Sequence, residues 1–427
     1  MRYFLARNTA LKWLETPSVY HIEKDDLYEL DSDSFEFLNN CATVTGCDAE
    51  SASSGAEFID YCLKEKILTK DKVSVKRPPL IKSPDPSLRY LELQITNKCN
   101  LKCRHCFIGA RNIITLPQPL PSREGKARAS PIKAGKIINK SPIPSRERVR
   151  VRGAKEEELS VNQIKGILKE FEEMQGLRVL ITGGEPLIHR RFEEINKLLP
   201  EFFVRKVLFT NGLLLNKKAL KKLNVDEIQI SIDGLKAAHD SLRGKGTFKL
   251  AIEAAKRALD SGFEVSIATM VHTKNLDDFD EMERLFKDMG IKDWTVDVPC
   301  ITGRLEDNPE FQLSPEQGGK YMRYSIGNGP HAGTPGFACG LHLMAVMADG
   351  KVSKCTFYSA SSVGRIEEGL RKCWQKIKPV TLDKLKCDCK HIESCRGGCR
   401  YRAGLLGDPL GKDLYKCNFY DYNLNNS

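Results

Sequence analysis

Six short apolar runs, at residues 89–95, 177–181, 204–209, 227–232, 264–270 and 294–298, alternate with stretches of helical spacing such as 160–174, 192–199 and 248–261. Parallel strands cannot be joined by a tight turn; each needs a crossover, usually a helix. The alternation therefore predicts an α/β fold with a parallel sheet. Six such strands that curl give a partial (β/α)6 TIM-like barrel. By analogy with closed barrels, functional side chains belong at the C-terminal ends of its strands.

The flanking regions lack this rhythm. Residues 1–80 carry short alternating runs around Asp25-Asp26, then helix-like apolar spacing at 34–41 and 56–65. They predict a small winged-helix-like α+β domain. Residues 76–86 hold four prolines and read as a linker. The barrel is expected over 88–305. Residues 306–427 hold eight of the 15 cysteines, which predicts a loop-rich, Cys-rich domain held together by metal. Disulfides suit small secreted chains better than this long one.

One segment interrupts the barrel. Residues 113–155 hold six of the 20 prolines and a near-repeat, Pro119-Leu120-Pro121-Ser122-Arg123-Glu124 and Pro142-Ile143-Pro144-Ser145-Arg146-Glu147. Such composition buries too little apolar surface to offset its ordering entropy, so a disordered basic insertion is expected. From Arg111 to Lys155, 12 Lys or Arg stand against Glu124 and Glu147, leaving +10 of the net +11 in this stretch. The remainder is nearly neutral, so the overall charge does not point the folded domains at nucleic acid; a basic arm is the alternative reading of the insertion alone. No apolar run reaches 18 residues, and the N-terminus lacks a secretory pattern. No membrane partner and a cytoplasmic location are expected.

Cys99, Cys103 and Cys106 follow the first strand directly. Three thiolates from one tight loop can each take one iron of a [4Fe–4S] cubane, leaving the fourth iron open to another ligand. Structural zinc would want a fourth protein ligand. His105 could supply one only by folding back between two cysteines.

This spacing, at this strand, resembles the radical SAM superfamily, and the resemblance continues in order. Gly183-Gly184-Glu185-Pro186 ends the second strand, Thr210-Asn211-Gly212 the third and Ser231-Ile232-Asp233-Gly234 the fourth. Arg243 follows, and Gly303-Arg304 lies beyond the sixth strand. The resemblance implies that Gly183, Gly184, Glu185, Asn211, Ser231, Asp233 and Arg243 bind S-adenosylmethionine (SAM). Glu185 would face the ammonium group, Ser231 or Asp233 the ribose or carboxylate, and Arg243 the carboxylate. It implies SAM on the open iron and, after one electron from a low-potential donor, a 5′-deoxyadenosyl radical that abstracts hydrogen. Each motif also has a plain reading: a turn for Gly183–Pro186 and Ser231–Gly234, a helix cap for Asp233. No carboxylate stands out as a general base, and eight scattered histidines suggest no His-based metal centre.

The later cysteines run Cys339, Cys355, Cys387, Cys389, Cys395, Cys399 and Cys417, with Gly350 between the first two. They resemble the SPASM extension of peptide-modifying radical SAM enzymes. That pattern implies one auxiliary [4Fe–4S] cluster on Cys339, Cys355 and Cys399 and a second on Cys387, Cys389, Cys395 and Cys417. Two departures stand out: Cys387 and Cys389 are one residue apart rather than two, and no cysteine lies just before Cys339 to complete the first set. His331 or an open iron are the substitutes. A purely structural staple is the plain alternative. Cys41, Cys47, Cys62, Cys300 and Cys373 lack such company and read as small buried apolar residues, as does Trp374.

The N-terminal region resembles the peptide-recognition domain of ribosomal-peptide-modifying enzymes, which add a leader peptide to a sheet edge; a simple cap on the barrel is the alternative. Together these resemblances imply a peptide or protein maturase, for example one that forms thioethers. A sulfatase-type maturase, a haem-pathway decarboxylase and, from another class, a non-catalytic iron–sulfur protein are the alternatives.

Overall fold

A computed structural model of the chain describes residues 1–48, 55–112, 158–327, 329 and 333–425. The insertion expected at 113–155 and His331 lie outside the described residues.

At the N-terminus, β1 (Arg2–Leu5) pairs antiparallel with β5 (Cys47–Asp48) and β6 (Leu68–Thr69). β2 (Thr9–Trp13), β3 (Pro17–His21) and β4 (Asp26–Glu29) form an antiparallel meander. Asp25 turns β3 into β4 at φ +62°, a left-handed conformation that Asp tolerates. Helix α1 (Ser32–Cys41) begins at Asp31, whose carboxylate accepts the Ser34 N–H at 2.7 Å. With α2 (Gly55–Lys64), it closes a small core of Leu5, Val19, Phe37, Leu38, Ile59 and Cys62. The expected hairpin and both helices are present.

The main sheet starts with β7 (Tyr90–Thr96). Two short parallel strands, β8 (Lys98–Cys99) and β9 (Arg111–Asn112), close the loop after it. Then come β10 (Arg178–Gly183), β11 (Arg205–Thr210), β12 (Glu227–Ser231), β13 (Glu264–Met270) and β14 (Asp293–Asp297), each within two residues of expectation. With β7 they form a parallel run, β14-β13-β12-β11-β10-β7. The crossovers are α3 (Val161–Glu173), α4 (Phe192–Leu198), α5 (Lys217–Leu220), α6 (Lys236–Arg243), α7 (Thr247–Asp260) and α8 (Phe279–Asp288). α3 shows why: Ser160 and Gln163 cap it reciprocally, and Ile164, Ile167, Leu168 and Phe171 put one apolar stripe on the sheet. Glu92 of β7 and Thr295 of β14 sit five places apart in the strand order yet line one cavity, so the sheet is curled into a partial barrel.

The boundary expected at 305 is not a clean break. β15 (Leu343–Val346) adds to the sheet parallel to β7, and β16 (Lys351–Ser353) and β17 (Gly364–Arg365) follow antiparallel, giving nine strands. Leu343, Met344, Ala345 and Val346 are all buried. A strand covered on both faces shows no alternation, and four residues are too few to announce it otherwise. The rest of the C-terminal region is loops and short helices, as expected. Trp374 is core, with its indole N–H donated to the Pro86 carbonyl at 2.7 Å.

The N-terminal unit docks on the end of the barrel where strands begin. Lys12, 2% exposed, donates to the carbonyls of Gly176 (2.7 Å) and Phe203 (3.0 Å). Arg205 donates to the carbonyls of Ile22 and Glu23 and pairs with Glu227 and Glu264. Arg178 pairs with Asp25. Glu15 takes the Ser87 N–H at 2.6 Å and Arg89 at 2.7 Å. No helix among the described residues is long and apolar enough to cross a membrane.

Candidate functional site

The loop after β7 brings Cys99, Cys103 and Cys106 together in an apolar patch with Leu101, Ile108, Ala110 and Leu213. The pairing of β8 with β9 fixes its base, and the Arg111 N–H donates to Asn97 O at 2.8 Å. The Leu101 N–H donates to the Cys99 sulfur at 3.4 Å. Gly303 and Arg304 clamp the loop from across the barrel. The Arg304 N–H donates to Cys106 O at 3.1 Å, and its guanidinium reaches Cys103 O and Ala110 O. Gly303 sits at φ +61°, where a Cβ would lie 2.7 Å from Cys106 O. Burial pushes the Cys99 and Cys103 thiols up to about 12 and about 11. Metal ligation opposes that push, because the ligand is the thiolate.

No three His, Cys, Asp or Glu side chains among the described residues converge on a single metal ion. A cubane asks for something else, one thiolate on each of three irons, so its sulfurs stand apart. Three thiols on one short loop, in apolar surroundings and beside a polar mouth, fit that demand.

The Gly183-Gly184-Glu185 motif ends β10 against this loop. The Gly184 N–H donates to Thr96 O and the Glu185 N–H to Lys98 O, each at 2.9 Å. A Cβ on Gly184 would lie 2.1 Å from Lys98 O and 3.0 Å from Cys99 Cβ, so only glycine lets the strand end approach so closely. Glu185 is fully buried. Its carboxylate accepts from Thr210 Oγ1 (2.8 Å), the Asn211 N–H (2.9 Å) and the Leu187 N–H (3.1 Å). Burial pushes it up to about 7 against those donors. Asn211 in turn donates Nδ2 to Asn100 Oδ1 at 2.7 Å, tying the end of β11 to the cysteine loop.

Ser231 ends β12 half-buried. Asp233 lies just beyond and is fully buried, with Arg243 Nε 2.5 Å from its Oδ2 and the Met270 N–H 2.8 Å from its Oδ1. Burial alone would raise Asp233, but the Arg243 guanidinium outweighs it and holds the carboxyl well below the usual range. The structure therefore pairs two residues that sequence reasoning assigned to separate contacts. It also gathers histidines that looked scattered. His105 Nε2 stands 3.8 Å from Asp233 Oδ2, His239 Nδ1 accepts the Asp233 N–H, and His272 Nε2 meets Asp233 O at 3.0 Å. Burial pushes His105 down to about 3 and His239 to about 4, so both are neutral. His105 Nδ1 and His239 Nε2 are buried without a partner among the described residues. Strand-end spacing could not reveal this group, because it joins three separate segments.

A cavity of about 540 Å³ lies between β7, β14 and the C-terminal region. Cys339, Cys355, Cys395 and Cys399 line it, with Glu92, Asp297 and Arg402. Cys339 and Cys355 are raised further by the charge of Cys399, Cys395 by that of Cys387 and Cys389, and Cys417 by that of Cys387 and Cys395. Of the five cysteines expected to stand alone, Cys41, Cys47 and Cys62 belong to the N-terminal core and Cys373 is fully buried. Cys300 departs from expectation: its thiol contacts the Cys399 sulfur, and this contact raises the Cys300 thiol and lowers that of Cys399. They are 99 residues apart in sequence, beyond the reach of spacing arguments.

Comparison with known proteins agrees with this geometry. Residues 93–286 match the Radical SAM superfamily. The mycofactocin maturase MftC of Mycolicibacterium smegmatis is 28% identical over 290 residues, 59% of this chain and 73% of that protein. An AdoMet-dependent heme synthase of Oleidesulfovibrio alaskensis is 25% identical over 236 residues, and the chain spans half of its length. Streptococcus suis SuiB, solved with its precursor peptide SuiA, shares the fold with a TM-score of 0.60 at 15% identity, covering 97% of this chain and 99% of that one. Superfamily membership implies a [4Fe–4S] cluster and SAM as cofactors. Residues 93–286 are a radical SAM domain, and the chain that carries it is an enzyme.

Proposed function

We propose that this enzyme modifies a ribosomally made peptide or protein, with thioether formation as the candidate reaction. Cys99, Cys103 and Cys106 hold the first cluster. Gly183, Gly184, Glu185, Asn211, Ser231, Asp233 and Arg243 form the SAM pocket. The bound cluster and SAM supply the 5′-deoxyadenosyl radical. The chain's part is to hold SAM in one pose and keep water out. Glu185 spends three acceptor positions on Thr210, Asn211 and Leu187, and a carboxylate has about four, leaving one for an ammonium group. Arg243 spends Nε on Asp233 and keeps its terminal N–H donors for a carboxylate.

Residues 1–80 act as the peptide-recognition domain, 88–305 as the barrel and 306–427 as the carrier of two auxiliary clusters, one on Cys339, Cys355 and Cys399 and one on Cys387, Cys389, Cys395 and Cys417. A low-potential donor supplies the electron. The observation that carries the peptide reading is the docking of a complete α+β unit on the barrel through Lys12, Glu15 and Arg205. The maturase name of MftC and the precursor peptide of SuiB support it. The unit sits at the strand starts, and the seven residues of β7 at about 3.3 Å each put the cysteine loop about 20 Å away. A leader held there must be separated from the modified residue by about seven or more extended residues.

The similarity to a heme synthase keeps a decarboxylase as second reading. Calorimetry with the full chain separates the two. A short cysteine-containing peptide encoded beside the gene should bind, and the chain lacking residues 1–80 should not bind it. Equal binding by both forms contradicts the role given to the N-terminal unit.

A further inference from the structure

Cys339, Cys355 and Cys399 offer three thiolates, whereas a fully ligated [4Fe–4S] cluster takes four. Sequence spacing finds no fourth candidate just before Cys339. The fold brings one from elsewhere. Cys300 lies three residues past the end of β14, 3% exposed, with its thiol in hydrogen-bond contact with the Cys399 sulfur.

Buried groups build this contact. Arg402 Nη1 donates to Asp297 Oδ1 at 2.8 Å and to Val298 O at 2.7 Å. Arg402 Nη2 and the Cys399 N–H both donate to Asp413 Oδ2 at 2.8 Å. The Arg402 side chain is 5% exposed and that of Asp413 0%. One arginine thus holds the segment after β14 against the segment that carries Cys399. Asp297 and Cys399 both line the cavity that Cys339 and Cys355 face.

We propose that Cys300 is the fourth ligand of the first auxiliary cluster. The proposal rests on the reading that Cys339, Cys355 and Cys399 hold such a cluster. On ligation the Cys300 S–H bond breaks, its proton passes to solvent, and the thiolate forms the Fe–S bond. Thiolates on neighbouring irons stand farther apart than hydrogen-bonded thiols, so the two sulfurs part by side-chain rotation. The coil around Cys300 accommodates this, with Ile301 already 40% exposed. The consequence concerns function. A cluster closed by Cys300 has no open iron for a substrate thiolate, so it serves electron transfer and leaves substrate ligation to no auxiliary iron of that set.

The test uses the full-length, anaerobically reconstituted enzyme with excess SAM, so that the open iron of the first cluster is taken. Iron and sulfide are counted, and the reduced clusters are examined by pulsed electron paramagnetic resonance with 15N-imidazole as probe. Wild type should show no imidazole coupling. Cys300→Ala should either lose about four irons per chain or keep them and gain a 15N coupling at the auxiliary cluster. Cys300→Ser, which preserves shape and can ligate through oxygen, should keep the iron and shift the g values. Wild-type iron content, spectrum and imidazole response in both variants would overturn the proposal. So would a Cys300–Cys399 disulfide found by mass spectrometry in the iron-loaded protein. Cys355→Ala and Cys399→Ala keep the two readings distinct. If they lose iron while the Cys300 variants are unchanged, only Cys300 fails; if neither loses iron, the cluster assignment itself fails.

Discussion

Arg243 Nε lies 2.5 Å from Asp233 Oδ2, with both side chains buried where β12 and α6 meet the cysteine loop. Removing one member of a buried pair leaves an uncompensated charge, which costs about 3–5 kcal/mol. Arg243→Ala should therefore lower the unfolding free energy by roughly that amount in a urea titration, as well as weaken SAM binding. A loss below about 1 kcal/mol, the range of exposed pairs, would mean that the pair does not brace the mouth.

Gly184→Ala should empty the first cluster selectively. The new Cβ meets Lys98 O at 2.1 Å and Cys99 Cβ at 3.0 Å, and backbone cannot yield as a side-chain tip can. The cysteine loop must shift instead. After anaerobic reconstitution the variant should hold about four fewer irons per chain than wild type, with the auxiliary signals unchanged. Full iron content would show that the loop tolerates displacement.

Glu15 joins the N-terminal unit to Ser87 and Arg89. Burial raises its carboxyl, but the Ser87 N–H and Arg89 outweigh this and bring it down to about 2. An unfolded Glu titrates near about 4.3, so the folded value is depressed. The contribution of Glu15 is then fully present above about pH 4.3 and is lost as pH falls through about 2. The stability gap between wild type and Glu15→Gln, followed by thermal melts, should narrow between about pH 5 and pH 2. A constant gap would contradict the linkage.

The segment 113–157 should be dispensable for cluster assembly. Its flanks are already fixed beside the loop: Asn112 pairs with Cys99, and Glu158 bridges Thr96 and pairs with Lys98 at 3.1 Å. Thr96 and Cys99 are only three residues apart, about 10 Å along a strand, so a short Gly-Ser linker can join the flanks. Replacing residues 115–154 by such a linker should leave iron content at the wild-type level. Loss of the first cluster would assign the segment a role in ordering the loop.

Much of this architecture is legible in the sequence, because parallel strands buried on both faces leave apolar runs and their crossovers leave helical spacing. The six barrel strands and the cysteine loop at the end of the first follow from that. β15 does not, since Leu343–Val346 is too short to carry a pattern. Cys300 reads as an isolated buried thiol until Arg402 is seen to bind Asp297, Val298 and Asp413 together. The histidines around Asp233 are hidden for the same reason, being assembled by the barrel from segments far apart in the chain. Glu185 and Arg243 were legible as motif members. Their ties to Thr210, Asn211 and Asp233 required the fold.

The proposed role of Cys99, Cys103 and Cys106 is to hold a cluster that cleaves SAM. The direct measurement is the release of 5′-deoxyadenosine by the anaerobically reconstituted enzyme with SAM and dithionite, followed by chromatography. Wild type should release it, and Cys103→Ala should release none while retaining the iron of the auxiliary sites. Absence of 5′-deoxyadenosine from fully reconstituted wild type, or its undiminished release by Cys103→Ala, would rule out a SAM-cleaving cluster on these three cysteines.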